Sequence, residues 1–576
     1  MPELIGIVLV ILGAFLFKYR DSVQEAMRNP VLVFIFLLGA GVLIFVIFIF
    51  GHYLEKVFNR INMWRQGING SDKHDVVRFS FINFDLKKLL EKFYQQDVNK
   101  EQTFIGMNAE KSNKEIVSIP DIQRTQHLQV LGMTGTGKTT GVFLPLIYQD
   151  ALKNRPIIII DAKGEMEVIN QLYSILEASG CAEKFMLFSL THKDISCTYN
   201  PLYSEGVDPQ IVIDAFFNNF EDENSFFREM SKAIFTNTFY ILHSFAKPFT
   251  PMDVYCYLNN EACRQEMNKK VTRNNKQGTL YLKMFNQIIS DLTEQYRGWK
   301  HAISGFNNFL LSHGDALLNE DDSDIVLMEA ILYRKIVYFQ LPTNAYPIQA
   351  VSIARMIQAN LRYISSLIQT GQIPRDILVS VIIDEYGSFA EESFVEVLNK
   401  ARSSGMMVTL AHQSLSDLKH ISESFMKRID ENTLNKIYFK QTDPELCELI
   451  AKSMGTYRKE EKTYRMTGGQ YGNQIHVGES SNKIVNEFHF PPDKIKNLHR
   501  FGQGYLISRA DNQHRCVNFG RFEEKPHAVY QKRAKAKKKE GLRLFEKYYL
   551  KQSPIIEKLV KASPSENEDF LKGIIE

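Results

Sequence analysis

Eight residues, Gly132-Met133-Thr134-Gly135-Thr136-Gly137-Lys138-Thr139, constrain this chain more than any other stretch. A Gly, four residues and then Gly-Lys-Thr is the spacing of a phosphate-binding loop, in which backbone N–H groups cradle phosphate oxygens. The flanks agree. The apolar run His127 to Leu131 predicts a strand entering the loop, and residues 138–153 predict a helix leaving it, so that the helix N-terminus and the loop amides aim at the same phosphates. In this reading Gly132, Thr134, Gly135, Thr136, Gly137, Lys138, Thr139 and Thr140 form the binding loop. Lys138 reaches the β- and γ-phosphates, and the Thr139 hydroxyl is a ligand of Mg2+.

The rest of the body repeats the alternation. Strands are predicted at Ile157 to Asp161, Phe185 to Leu190, Lys335 to Leu341, Leu378 to Asp384, Met407 to Leu410 and Lys436 to Lys440, with helical patterns between them. Runs such as Ile157-Ile158-Ile159-Ile160 are apolar on both faces, as a parallel sheet covered by helices requires. Residues 209–324 show helical periodicity, for example over 226–245 and 280–299, and read as an inserted all-α domain. Residues 61–120 read as a connector, a helix over 84–96 followed by a short strand pair, and Gly468 to Gly472 as a hairpin or a mobile loop. At 44% apolar and 12% aromatic the 576 residues exclude a disordered chain, and a formal charge of +3 excludes a protein that coats nucleic acid nonspecifically. Six cysteines without a CxxC pair read as reduced, mostly buried thiols rather than a zinc site or a disulfide framework.

Hydrolysis needs a carboxylate for the metal and one for water, and Val381-Ile382-Ile383-Asp384-Glu385 supplies both at the end of an apolar strand. Asp384 would hold the metal shell and Glu385 would polarise water. Downstream, Arg402 sits at a helix end before the strand Met407 to Leu410, and Gln413 follows that strand, where an amide can sense a γ-phosphate. His412 has no partner ligands at metal spacing and reads as structural.

The N-terminus is of another kind. Val31 to Phe50 is twenty residues without a charge, enough for a helix of about 30 Å, and Leu4 to Phe17 is a shorter apolar run. Together they read as a transmembrane hairpin within residues 1–60, with spans at about 4–17 and 31–50. Basic residues lie on both sides of the second span and leave orientation open. ATP and Mg2+ are cytosolic, which turns the soluble body toward the cytoplasm.

The phosphate loop, Asp161-Ala162-Lys163-Gly164-Glu165, Tyr199-Asn200-Pro201-Leu202, Asp384-Glu385 and the run Ala401 to Leu415 with Ala411-His412-Gln413 together resemble the TraG/TraD type IV coupling proteins, over about Asp121 to Phe522. The resemblance implies a RecA-like ATPase domain over 121–208 and 325–525, interrupted by the all-α domain at the pore entrance. It implies a homohexamer anchored in the inner membrane, with Arg402 acting on a neighbour's nucleotide and Gln413 linking the γ-phosphate to movement. Expected partners are DNA, single-stranded and bound without sequence preference, relaxase or effector proteins, and components of the secretion channel. The function the resemblance implies is an ATPase motor that recruits DNA and relaxase and drives their transfer into a type IV secretion or conjugation channel; the alternatives are a receptor or scaffold for secreted effector proteins, and a chromosome-partition translocase. Residues 526–576 read as a basic then acidic tail, whose basic run Lys532 to Lys539 reads as a solvated helix or disordered tail, or as a segment that tracks phosphates or anionic lipid.

Overall fold

The computed structural model describes residues 86–550, apart from 110–114, 204–205, 275, 297, 469–473, 497, 499–501, 510–512, 523–528 and 533–539. The expected spans 4–17 and 31–50 lie outside the described residues, among which no helix is long and apolar enough to cross a membrane.

Apolar, β-branched runs build the centre. Strands β1 (Gln102–Asn108), β2 (Ile116–Pro120), β3 (Leu128–Leu131), β4 (Ile157–Asp161), β5 (Phe185–Ser189), β6 (Ile336–Gln340), β7 (Val379–Ile383), β8 (Met406–His412) and β9 (Asn435–Tyr438) are joined by β12 (Gln503–Ser508) and β13 (Gln513–Asn518) in one sheet. Between them in sequence, β10 (Thr456–Gly468) and β11 (Gln474–Phe488) form a separate antiparallel pair around the expected hairpin. The order across the main sheet is β2-β1-β13-β12-β9-β3-β8-β7-β4-β6-β5. From β9 to β5 every neighbouring pair is parallel. Ile157, Ile158, Ile160, Val379, Ile382 and Ile383 are fully buried, so both faces of this part are covered by helices. This is a RecA-like α/β arrangement with a mainly parallel sheet.

An antiparallel extension, β12, β13, β1 and β2, continues the sheet beyond β9. The strand pair expected in the connector is therefore part of the main sheet. The free edge of β5 is closed by other means: Cys197 N–H donates to Leu187 O at 2.6 Å, Ser189 N–H to Ser196 Oγ at 2.8 Å and Leu187 N–H to Tyr530 Oη at 3.5 Å.

Between β5 and β6 the described chain is helical. Pro209–Phe217, Ser225–His243, Pro251–Asn259, Glu261–Asn274, Lys276–Tyr296, Trp299–Ala302 and Ser304–Ser312 follow one another. Their starts are set by side chains: Asp208 and Asn224 accept N–H groups of the first turns, and Thr250 and Asp253 form a reciprocal capping box. Rings of Phe216, Phe217, Phe220, Phe235, Phe306 and Phe309 meet in the core they enclose.

The basic run over 533–539 and the acidic end over 551–576 lie outside the described residues, and the described residues on either side of that run are packed. Tyr530 seats edge-on against Phe185 and Tyr173. Further on, Leu544 is buried in the helical core with the partly buried Leu542 packed against it, Arg543 pairs with Asp321 at 2.8 Å and Lys547 with Glu266 at 2.7 Å. The spacing of Leu542, Phe545 and Tyr549 gives this segment one apolar side, which the neighbouring basic run masks in a reading by charge. All six cysteines are free and buried, as expected.

Candidate functional site

Four neighbouring strands, β3, β8, β7 and β4, end at the same level. Leu131 pairs with His412, Leu410 with Ile383, and Ile383 with Ile160. The residues that follow these ends are the phosphate loop, Gln413, Asp384-Glu385 and the Asp161–Lys163 turn, so the sheet brings together segments up to 280 positions apart in sequence, such as His412 and Gly132 (Gly132 N–H to His412 O, 3.3 Å). Ligands of open α/β sheets bind at this carboxyl edge.

The phosphate loop has the backbone its glycines permit. Gly135 (φ 77°) and Gly137 (φ 103°) are left-handed, and a Cβ at Gly132 would sit 2.7 Å from Thr136 Oγ1 and 2.9 Å from Phe439 Cβ. Met133, Thr134 and Gly135 are exposed, while Lys138 is buried and donates to the Gly132 carbonyl of its own loop. The helix that follows opens with a π turn over Thr139–Phe143 before the α-helix Leu144–Leu152. Pro145 has no N–H to offer Gly141, Leu144 N–H reaches back to Thr139 O, and Thr140 O accepts Phe522 N–H at 3.0 Å instead.

Opposite the loop stand the carboxylates. Burial raises the Asp384 carboxyl, against the pull of the nearby Lys163 charge. Asp384 Oδ1 accepts Glu385 N–H at 2.9 Å, and Glu385 itself is left-handed at φ 49°. Glu385 Oε2 accepts from Gln413 Nε2 at 3.2 Å, and Lys163 Nζ lies 3.2 Å from Glu385 Oε1 and 3.8 Å from Asp384 Oδ2. Burial lowers the Lys138 ammonium, which the Glu385 and Asp384 charges oppose and the Lys163 charge reinforces. Asp161, next to Asp384, is raised by burial and by that neighbour's charge, and accepts the Tyr338 hydroxyl at 2.6 Å.

The residues fit a magnesium nucleotide. The loop offers open backbone donors next to a poised ammonium, and Asp384 faces it. Among the described residues no cluster of three or more His, Cys, Asp or Glu forms a cage, and Mg2+ needs none, since it keeps several waters and takes one or two protein oxygens together with phosphate. His412 is structural, as expected: Gln129 Nε2 donates to its Nε2 at 2.8 Å, its Nδ1–H reaches Ser414 O at 2.8 Å, and burial pushes it down to about 4.

Arg402 is the one expected site residue that the single chain does not bring to this cluster. It lies in the turn Arg402–Ser404 ahead of β8, whose other end carries Gln413. Seven strand residues separate the two by about 20 Å. Lys163 and Asp161, in turn, carry no role in the sequence reading beyond family resemblance. Their signal was positional: a charged Asp-x-Lys directly after a fully apolar strand.

The sequence model described as the TraM recognition site of TraD and TraG matches residues 378–500, and that described as the central domain of the helicase HerA matches residues 112–292. The type 4 coupling protein DotL of Legionella pneumophila subsp. pneumophila, strain Philadelphia 1, is 20% identical over 411 residues, 61% of this chain and 52% of that protein. The chain thus spans about half the length of this curated relative. Among solved structures, the plasmid coupling protein TrwB in complex with ADP and Mg2+ is 16% identical with a TM-score of 0.47, covering 72% of this chain and 90% of its own. VirB4 of Thermoanaerobacter pseudethanolicus is 13% identical with a TM-score of 0.40, covering 72% and 95%. The TraD and TraG match spans Asp384, Glu385, Arg402 and Gln413 and the HerA match spans the phosphate loop; the chain is thus similar to the TraG/TraD type IV coupling proteins over its carboxylate-bearing strands and to HerA over its phosphate loop.

Proposed function

We propose that this chain is an ATP-driven motor of a type IV secretion or conjugation system, which recruits a DNA and relaxase substrate and moves it into the channel. It works as a homohexamer on the inner membrane, with residues 1–60 as the transmembrane anchor and the body, including the all-α domain over 209–324, in the cytoplasm. The observation that carries the reading is the convergence of the phosphate loop, Asp384-Glu385 and Gln413 at one sheet edge. Binding without hydrolysis would not need Glu385, a carboxylate held next to the metal ligand.

Each residue then has a task. The loop amides and Lys138 bind the β- and γ-phosphates, while Thr139 and Asp384 hold Mg2+, which when bound neutralises charge building on the phosphate oxygens. Glu385 accepts a proton from the attacking water, and Gln413, in contact with Glu385, reports the state of the γ-phosphate to β8. Arg402 acts in trans: the length of β8 separates it from its own Gln413, so a second copy supplies the guanidinium. Single-stranded DNA would be gripped through its phosphates, in a salt-sensitive, sequence-independent way.

ATP turnover by the purified 576-residue chain, with and without single-stranded DNA, tests this. Stimulation by DNA that is lost in Lys138→Ala and in Arg402→Ala is the expected result. A basal rate indifferent to DNA in hexameric protein would sink the DNA motor and point to a protein cargo.

A further inference from the structure

Two ammonium groups face one pair of carboxylates. Lys138 comes from the phosphate loop and Lys163 from the turn after β4, which Asp161 shapes by accepting the Lys163 backbone N–H on Oδ1 at 3.0 Å. Asp161 is itself fixed from the other side by Tyr338, one strand further out on β6. The turn is thus rigid at its root, while the Lys163 side chain is 35% exposed and has room to swing.

The partners of Glu385 make this arrangement informative. Lys163 Nζ is 3.2 Å from Oε1 and Gln413 Nε2 is 3.2 Å from Oε2, so both oxygens of the carboxylate that would polarise water are engaged by groups of the same chain. A carboxylate held in an ion pair through one oxygen and in a hydrogen bond through the other is a weaker base, because both contacts stabilise its ionised form. Something must relieve it before water can be activated. Gln413 is a neutral amide; Lys163 is a mobile cation, and a cation on a flexible stem moves to the stronger anion.

Resting on the ATPase reading above, we propose that Lys163 is a positioning residue that distinguishes triphosphate from diphosphate. Without nucleotide it restrains Glu385; the terminal phosphate of a nucleoside triphosphate, with more negative charge than a carboxylate shared with Gln413, draws Lys163 away and frees one Glu385 oxygen for water. A diphosphate lacks those oxygens and leaves the Lys163–Glu385 pair in place. Lys163 therefore adds to triphosphate affinity, adds nothing to diphosphate affinity and keeps the site idle until the right ligand is bound.

The test is equilibrium binding of fluorescent ATP and ADP analogues to the purified full chain, followed by anisotropy, for the wild type, Lys163→Met, Lys163→Arg and Lys138→Ala. Lys163→Met is expected to weaken the triphosphate about tenfold and the diphosphate by less than about twofold. Lys163→Arg, which keeps the charge, is expected to recover most of the loss. Thermal melts accompany each variant; an exposed side chain on a turn should leave Tm within about 2 °C of the wild type. An ATP-to-ADP affinity ratio unchanged by Lys163→Met, or equal weakening of both nucleotides, overturns the proposal and leaves the nucleotide site standing. Wild-type protein that binds neither analogue more tightly than Lys138→Ala overturns the ATPase reading itself, and the role of Lys163 with it.

Discussion

Glu385 concentrates most of the chemistry at the scale of single residues, since Lys163, Gln413 and the Asp384 carboxyl all meet at it. Glu385→Gln keeps the shape and the amide contact but removes the proton acceptor. It is expected to lower ATP turnover by about a hundredfold or more while ATP binding persists, as steady-state rates beside analogue binding would show. Three buried histidines contribute to the behaviour in acid, opposed by the raised carboxyls of Asp161 and Asp253. Burial pushes His127, His313 and His412 from 6.5 down to about 4, so each is neutral in the folded chain. Between those two values the unfolded chain binds protons that the folded chain refuses. The stabilisation is therefore complete above about pH 6.5 and is lost toward pH 4, at about 1.4 kcal/mol per pH unit for each histidine. His313 offers the cleanest check, because its Nε2 has no hydrogen-bond partner among the described residues and its ring packs on Phe216 and Phe309. His313→Phe should leave stability at pH 7.5 within about 1.5 kcal/mol and remove one histidine's share of the acid slope, about 1.4 kcal/mol per pH unit below about pH 6.5, measured by thermal melts from pH 7.5 to 4.5.

The helix after the phosphate loop is an element held at both ends. At its start Gly141 packs under Phe519, with Phe522 bonded to Thr140; at its far end Asp150 accepts from Arg124 at 2.7 and 2.8 Å and from Arg155 at 2.9 Å, all three buried. Gln149 alongside bonds the Phe104 backbone of β1 through both N–H and C=O. Removing Asp150 leaves the buried Arg124 guanidinium without a carboxylate and Arg155 with Asp121 alone, so Asp150→Ala should cost about 3–5 kcal/mol, read from the midpoint of urea unfolding. Little of this was legible in advance. Local pattern was enough for β4, because four consecutive isoleucines suit only a strand covered on both faces, and for β7 and the loop between β3 and its helix. Partners distant in sequence were not. The π turn depends on Pro145, which can be read, but also on Phe522, which cannot; β1 and β2 join the main sheet through β13, some four hundred residues on. Lys163 belongs to the same class. Its segment was recognisable, yet its pairing with Glu385 follows from β4 lying next to β7, and strand order is not written in any local pattern.

For the whole molecule, the proposed trans role of Arg402 is a statement about assembly. Everything on the carboxyl edge comes from one chain, while Arg402 precedes the opposite end of β8. If a neighbouring copy supplies that guanidinium, two different lesions complement each other. A Lys138→Ala subunit has a dead phosphate loop and an intact Arg402; an Arg402→Ala subunit has an intact loop and no finger to give. Each variant alone should turn over ATP at background level. When the two are mixed in equal amounts and allowed to exchange subunits, a working interface needs an Arg402→Ala chain on the nucleotide side and a Lys138→Ala chain on the finger side. Random assembly around a closed ring meets that condition at about a quarter of the interfaces, so turnover should return to about a quarter of the wild-type rate per site. The fraction should fall off symmetrically as the ratio departs from one to one, which separates complementation from traces of active protein in either stock. A guanidinium used within its own chain predicts no recovery at any ratio, because no subunit in the mixture carries both residues. Recovery that appears without added DNA and rises with it would further mean that the ring itself, rather than DNA, brings the finger to the nucleotide, and that DNA acts on a site already complete.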